Sequence, residues 1–171
     1  MKKHTGQTAV LRVGFGYDIH RMTRGRKLVL GGVKIPFQSG LLGHSDGDVL
    51  LHAICDAMLG AAALGDIGHH FPNTNPKFRN ISSLKLLRAV SKLLARNDLE
   101  LVNVDSTVVL ELPVIAPYVD RMKKSIGLAA GIPPVRVSVK ATTNEGLGAI
   151  GRGEGCAAYA VALVRSTKTF V

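Results

Sequence analysis

The acidic and histidine side chains in the first third of the chain are the groups best suited to do chemistry. Five of the 12 acidic residues lie within the first 66 positions, beside three histidines and in otherwise apolar or glycine-rich sequence. These residues are Asp18, Asp46, Asp48, Asp56 and Asp66, with His20, His44 and His52. Burial of such groups without partners is strongly unfavourable. We therefore expect them to meet hydrogen-bond partners or a metal ion.

Asp18, His20 and His52 are the candidate metal ligands. Asp18 and His20 stand two positions apart after a short strand, where either extended or turn geometry lets their side chains point the same way, and His52 lies in a predicted apolar helix. One carboxylate and two imidazoles leave a fourth coordination position open, which is typical of catalytic zinc. The same set suits non-haem iron, so an iron enzyme remains the alternative. Taken singly, each residue is more often a core histidine or a turn cap.

The helix predicted over residues 48–64 carries a polar stripe on an apolar rod. Asp48, His52 and Asp56 recur every four positions and therefore lie on one face. Ser45 or Asp46 is the expected N-cap, and Gly65 is expected to end the helix. The two aspartates either orient His52 as a metal ligand or are ordinary helix-end carboxylates.

A glycine-rich turn follows the predicted strand 135–142. Hydroxyl groups of Thr142 and Thr143 and free backbone N–H groups there can surround phosphate oxygens, and Arg152 can bind an anion. A solvated turn is the alternative. The G-x-G-x-x-G pattern at 146–151 does not indicate a dinucleotide site, because no acidic residue follows Glu154.

Helices that alternate with strands must position these groups. Strands are predicted at 10–15, 27–35 (a hairpin around Gly31 and Gly32), 99–112, 135–142 and 156–164. Helices are predicted at 48–64, 80–97 and 117–130, and a loop at 66–79. This order indicates an α/β fold with a single sheet covered by helices. We expect a flexible tail over 1–9 and one domain over 10–171.

Composition narrows the function classes. The 171 residues include 22 Lys and Arg against 12 acids, for a net charge of +10, so the partner is expected to be anionic. Trp is absent and aromatic residues make up 5%, which favours a small anion over nucleic acid. The alternative that the chain is a basic nucleic-acid-binding module is supported only by its net charge. Two distant cysteines and the lack of a signal or membrane-spanning segment predict a cytoplasmic protein that does not enter membranes.

Several separated motifs, in order, resemble those of the 2-C-methyl-D-erythritol 2,4-cyclodiphosphate synthase family. They are GFGYDIH at 14–20, GHSDGD at 43–48 followed by His52, GDIG at 65–68, FP at 71–72, KATT at 140–143 and GRGEG at 151–155. The resemblance extends over about residues 12–164. Val114 and Ala149 stand where the family commonly has lysine and often has phenylalanine.

This resemblance implies a fold, a reaction and an assembly. The fold would be ferredoxin-like, mixed α/β, in a homotrimer with active sites between subunits. The enzyme would be a lyase of the non-mevalonate pathway to isoprenoid precursors. It would cyclise 4-diphosphocytidyl-2-C-methyl-D-erythritol 2-phosphate and release CMP. An isoprenoid diphosphate could occupy the trimer cavity, where Arg152 and Glu154 lie.

The resemblance also assigns roles to residues. Asp18, His20 and His52 would bind Zn2+, and Glu145 a second divalent ion, Mg2+ or Mn2+. His44 and Thr143 would stabilise the transition state. The substrate would touch the zinc ligands Asp18 and His20, the catalytic His44 and Thr143, and Glu145. The further expected substrate contacts are Ser45, Asp66, Ile67, Gly68, Phe71, Pro72, Asn73, Thr74, Asn75, Leu110, Val114, Ile115, Ala116, Ala141, Thr142, Asn144 and Arg152.

Overall fold

A computed structural model describes residues 10–168 of the chain. The strands are β1 (Leu11–Arg24), β2 (Leu28–Leu30), β3 (Val33–Ile35), β4 (Ser39–Leu41), β5 (Leu99–Val109), β6 (Val137–Thr142) and β7 (Gly155–Ser166). The helices are α1 (Val49–Ala61), α2 (Ile67–His70), α3 (Ser83–Arg96), α4 (Val119–Ala130) and α5 (Gly148–Gly151). The tail predicted over 1–9 lies outside the described residues.

Five strands form one mixed sheet in the order β4-β1-β7-β5-β6, in which only β5 and β6 run parallel. Strands β2 and β3 form the hairpin predicted around Gly31 and Gly32, and both of these turn residues have positive φ. The hairpin is separate from the five-stranded sheet. Helix α1 packs across β1 and β7, α3 packs beside α1, and α4 packs on β6. Their apolar residues form one core, which confirms a sheet covered by helices. The prediction of a single sheet was wrong, because the β2–β3 hairpin forms a second one.

Strand β1 is longer than predicted because its glycines do not end it. A Cβ atom on Gly14 would come within 2.0 Å of the Ala57 carbonyl oxygen, and one on Gly16 within 2.0 Å of the Ala53 carbonyl oxygen. The glycines therefore let α1 approach the strand closely. The strand predicted at 10–15 continues to Arg24, so its predicted end was wrong, and of the two geometries considered for Asp18 and His20 the extended one is present.

Asp48, rather than Ser45 or Asp46, caps α1. Its side chain is fully buried and accepts hydrogen bonds from the backbone N–H groups of Gly31 (2.9 Å), Gly32 (2.6 Å) and Leu51 (3.1 Å). The cap therefore also ties the β2–β3 hairpin to α1. The helix ends at Ala61, before the predicted stop, and the chain turns through positive φ at Ala63.

Other boundaries differ where local turns compete with regular structure. Val135 was predicted to begin a strand, but it is 87% exposed in a 3-10 turn, Pro134–Arg136, and the strand starts at Val137. Strand β5 ends three residues earlier than predicted, at Val109. The three- and four-residue elements β4, α2 and α5 were not predicted.

The side of the sheet opposite the helices carries a row of exposed apolar side chains, here called the apolar sheet face. Its members alternate along β1 and β7 and are Leu11, Val13, Phe15, Tyr17, Ile19, Tyr159 and Val161. On β5 and β6 the same side is polar, with Lys140 bonded to Asp105. A contiguous apolar area of this kind usually marks a contact surface. Among the described residues, no helix has both the length and the apolar character needed to cross a membrane.

Candidate active site

Asp18, His20 and His52 converge where β1 meets α1. Even-numbered residues of β1 face the helices, so Asp18 and His20 share a side with Gly14 and Gly16. His52 lies on the facing side of α1, and its Nδ1 atom is 2.9 Å from Asp18 Oδ2. The three side chains offer ligand atoms that all lie within 4.8 Å of one another.

The ring of His20 is oriented by its own backbone. Its Nδ1 atom lies 2.8 Å from the carbonyl oxygen of Ile19. A carbonyl can only accept, so Nδ1 carries a proton, and in the neutral ring Nε2 then has a free lone pair. Nε2 lies 3.5 Å from Asp18 Oδ2, on the side where the ligand atoms meet. The backbone thereby fixes the tautomer that a metal ligand needs.

The ring of His52 is oriented by a chain of hydrogen bonds. Ser83 Oγ donates to Asp46 Oδ1, so it can only accept from His52 Nε2, which is 2.9 Å away. Ser45 Oγ lies 3.0 Å from the same nitrogen. Because Nε2 therefore carries a proton, the short approach of Nδ1 to Asp18 requires either a second proton or a cation between them.

The electrostatics of this pair favour a positive charge. Burial alone would lower the pKa of His52, but its hydrogen bond to Asp18 and the charges of Asp18, Asp48 and Asp46 raise the pKa above its ordinary value. The side chain of His52 is only 12% exposed. Two imidazole nitrogens and a carboxylate, partly shielded from water and held by other groups, fit a zinc-like ion with an open position.

A cavity of about 500 Å³ opens beside the triad. Asp56 lies in its wall and accepts a hydrogen bond from the backbone N–H of Ile67 at 2.7 Å, which holds α2 over the cavity. Burial raises the pKa of Asp56. Of the predicted substrate contacts, those in the cavity wall with the triad are His44, Ser45, Ile67, Gly68, Phe71, Pro72, Asn73 and Thr74.

Two predicted substrate contacts near this cavity form hydrogen bonds with backbone N–H groups. Asp66 caps α2 and accepts from the N–H of His69 at 2.8 Å. Asn75 caps the 3-10 turn Pro76–Phe78 through Lys77 N–H at 3.0 Å. Neither residue lines the cavity. Both caps shape the loop that forms the cavity wall.

The remaining predicted contacts lie elsewhere, near the carboxyl ends of β5 and β6. This group, here called the distal group, consists of Leu110, Val114, Ile115, Ala116, Ala141, Thr142, Thr143, Asn144, Glu145 and Arg152. Thr143 Oγ1 donates to Glu145 at 2.9 Å, and Arg152 pairs with Glu154 at 2.6 Å. No member of the distal group lines the cavity of its own chain.

Sequence reasoning missed Ser83, and it considered Asp46 only as an N-cap of the helix, not as the partner of Ser83. Ser83 lies 31 positions after His52 and begins α3, so no local spacing links it to the site. Asp48 and Asp56 were considered as groups that orient His52. Asp48 is bonded to backbone N–H groups instead, which confirms the alternative of a helix-end carboxylate. Asp56 holds α2.

Known proteins are similar to this chain along most of its length. The sequence profile of the YgbB family matches residues 11–165. A protein of Syntrophobacter fumaroxidans named 2-C-methyl-D-erythritol 2,4-cyclodiphosphate synthase is 61% identical over 156 residues, covering 91% of this chain and 98% of the relative. A Pelotomaculum thermopropionicum protein with the same name is 58% identical over 157 residues, covering 92% and 97%.

Two solved structures are similar along nearly the whole chain. The bifunctional IspDF of Campylobacter jejuni is 39% identical with a TM-score of 0.90; the match covers 93% of this chain and 43% of that one. The CDP complex of IspF from Plasmodium falciparum is 34% identical with a TM-score of 0.81, covering 92% and 97%.

Proposed function

Because the chain belongs to the YgbB family, we propose that it is a 2-C-methyl-D-erythritol 2,4-cyclodiphosphate synthase of isoprenoid precursor biosynthesis. The substrate is 4-diphosphocytidyl-2-C-methyl-D-erythritol 2-phosphate. An oxygen of its 2-phosphate attacks the β-phosphorus, the bond to the bridging oxygen breaks, and CMP leaves with that oxygen. The convergence of Asp18, His20 and His52 beside a cavity carries the proposal. The names of the relatives favour this reaction over a non-haem iron enzyme.

The chain needs no general base, because the attacking phosphate is already an anion. Asp18, His20 and His52 would hold Zn2+, which when bound neutralises charge on the diphosphate. Ser45 and Ser83 keep the His52 ring in place, and Ile19 keeps that of His20. The cavity wall aligns the two phosphates, which supplies much of the rate in phosphoryl transfer.

We assign the remaining roles from the positions of the family motifs. His44, in the cavity wall, stabilises the transition state as a hydrogen-bond donor, and Thr143 does the same from the distal group. Glu145 binds the second divalent ion, Mg2+ or Mn2+. The cytidyl group of the substrate contacts the residues of the distal group, and the loop at 66–75 contacts its ribose and phosphates. The reaction takes place in the cytoplasm, where the two buried, unbridged cysteines stay reduced.

The functional unit in this proposal is a homotrimer of ferredoxin-like subunits, each formed by one domain at 10–171. Two observations support it: the apolar sheet face is exposed in a single chain, and the distal group lies away from the cavity of its own chain. In the trimer, a neighbouring copy would cover the apolar sheet face and bring its own distal group to the cavity. The central cavity of the trimer could then take an isoprenoid diphosphate beside Arg152.

Substitution of Phe15 by glutamate tests the trimer, since Phe15 lies in the apolar sheet face and is 63% exposed. The unmodified protein should have three times the chain mass of 18.1 kDa by light scattering. Phe15→Glu should dissociate it and abolish turnover. Val135→Glu is the matched control, because Val135 is an exposed apolar residue outside that face. A fully active Phe15→Glu monomer would contradict the shared active site.

An assay of CMP release from the cytidyl substrate tests the activity itself. We expect CMP and the cyclic diphosphate in equal amounts, without oxygen consumption. Protein treated with a chelator should regain turnover only with zinc together with Mg2+ or Mn2+. Turnover without any divalent cation would contradict the two-metal scheme, and an oxygen-dependent product without CMP would support the iron enzyme.

A further inference from the structure

A row of uncompensated positive charge lies on α3, outside the active site. Residues 67–97 contain six lysines and arginines and no aspartate or glutamate. Four of these cations, Lys85, Arg88, Lys92 and Arg96, are exposed on α3 at spacings of three or four residues, so they share one helix face. Within residues 10–168, none of the four forms an ion pair, in contrast to Lys140 and Arg165, which pair with Asp105 and Glu100.

One part of this row borders a cavity of about 270 Å³ between α3 and α2. Lys92 and Arg96 form one side of it, and His70 and Phe71 form the other. The apolar side chains of Ala89 and Leu93 also line the space. The cavity lies on the helical side of the sheet, away from the apolar sheet face. It therefore combines two unpaired cations with an apolar surface.

The wall formed by His70 and Phe71 is held in place. His70 Nε2 donates to the carbonyl oxygen of Leu64 at 2.7 Å, which fixes the ring. The ring of Phe71 stands edge-on to that of Phe78, with centroids 5.4 Å apart. Phe71 also lines the active-site cavity, so a ligand beside α3 would lie against the same residue that borders the substrate.

We propose that this cavity binds a small organic phosphate. The phosphate contacts Lys92 and Arg96, which are neighbours at i and i+4, and the planar guanidinium can hold two of its oxygens. The organic part lies against Ala89, Leu93 and Phe71. A volume near the lower end of that of known ligand pockets suits one phosphate with a single ring rather than a lipid chain. The inference does not rest on the proposed reaction.

Methyl NMR of the intact protein, titrated with phenyl phosphate, tests the proposal. Ala89 and Leu93 report on this cavity, whereas Ile67, Ile81 and Leu86 report on the active site. We expect saturable shifts of the Ala89 and Leu93 methyl signals, with weaker effects from phenol and from inorganic phosphate alone. Shifts confined to the active-site methyl groups would overturn the proposal, as would equal affinity for phenol.

Paired variants separate this cavity from the general charge of the helix. Lys92→Gln with Arg96→Gln should raise the Kd for phenyl phosphate about tenfold or more, because two charged contacts are lost. Lys85→Gln with Arg88→Gln removes the same charge outside the cavity and should change the Kd far less. Lys92→Gln alone keeps Arg96, the cation in the last turn of α3, and should give an intermediate Kd. Equal losses in both pairs would contradict a defined site.

Vesicles distinguish a free metabolite from a lipid headgroup. The protein should not sediment with phosphatidylcholine vesicles that contain phosphatidic acid more than with vesicles that lack it. Sedimentation that depends on Lys92 and Arg96, without methyl shifts from phenyl phosphate, would replace the small-molecule site by a membrane contact and overturn the proposal.

Discussion

Asp48 and His52 stand one turn apart on α1 and yet differ in how their polar atoms are satisfied. Both oxygens of Asp48 are bonded to backbone N–H groups of Gly31, Gly32 and Leu51, and its side chain is completely buried. His52 has one nitrogen bonded to serine hydroxyls, while the other faces a carboxylate across a gap that needs a proton or a cation. Asp48 joins the β2–β3 hairpin to α1, whereas His52 has a nitrogen atom that can bind a metal ion.

The hydrogen-bond partners of these two residues distinguish a structural role from a chemical one within the same polar stripe of α1. Both oxygens of Asp48 are occupied by backbone N–H groups in a fully buried position, so this carboxylate is not presented to a substrate or an ion. The Nδ1 atom of His52 instead faces the carboxylate of Asp18, so this nitrogen can bind a proton or a metal ion. Stability should therefore depend most on Asp48, and metal binding and turnover on His52.

The largest expected effect is on turnover in His52→Ala. Loss of one of the three proposed metal ligands should reduce the rate of CMP release by about a thousandfold or more, since the positive charge of the ion would no longer stabilise the transition state. The variant should still fold and assemble, as judged by circular dichroism and light scattering. Undiminished turnover would remove His52 from the site. If His52→Ala is unfolded, His52 is needed for stability as Asp48 is, and the proposed difference between the two residues would be wrong.

Asp48→Ala should show the opposite pattern, a loss of stability. The change removes a helix cap and leaves three backbone N–H groups without their acceptor, which should cost about 3 kcal/mol or more in the free energy of unfolding. Denaturant titration measures it. Asp66→Ala, which removes the exposed cap of the four-residue helix α2, is the matched control and should cost about 1 kcal/mol or less. Equal losses would contradict the importance of the buried junction.

The sequence predicted the triad and much of the cavity wall, but not the hydrogen bonds that hold these groups in place. Alternation and helical spacing identified the long elements because those signals are local, and residue types together with the family motifs identified Asp18, His20 and His52 as candidate ligands. Ser83 and the backbone partners of Asp48 could not be found, since tertiary packing brings them from distant positions. Gly16 misled the prediction of β1, because its contact with Ala53 is also tertiary.

Ser83→Ala should lower the affinity for zinc without abolishing zinc binding. The hydroxyl accepts from His52 Nε2 and links it to Asp46, and loss of such a supporting bond typically lowers metal affinity about 10- to 100-fold. Ser45 still lies 3.0 Å from the same nitrogen, so the lower end is expected. Ser82→Ala is the control, because Ser82 makes no side-chain cap bond at the start of α3. Competition with a chromogenic chelator measures the Kd for zinc, and equal affinity of the two variants would exclude Ser83 from the support of His52.

The smallest expected effect is the pH dependence of metal affinity. Asp18 raises the pKa of His52 against the opposing effect of burial, so the protonated imidazole persists to higher pH than in an ordinary histidine. A metal must displace that proton from Nδ1, and affinity should therefore fall as pH falls, by up to about tenfold per unit below that pKa. Calorimetry of zinc binding in two buffers of different ionisation heat, at a pH below the pKa of His52, should show about one proton released from this group. Ser83→Ala should keep that release, since Asp18 remains. Binding without proton release at that pH would mean that Nδ1 is already free, and that the gap between His52 and Asp18 holds no proton for a metal to replace.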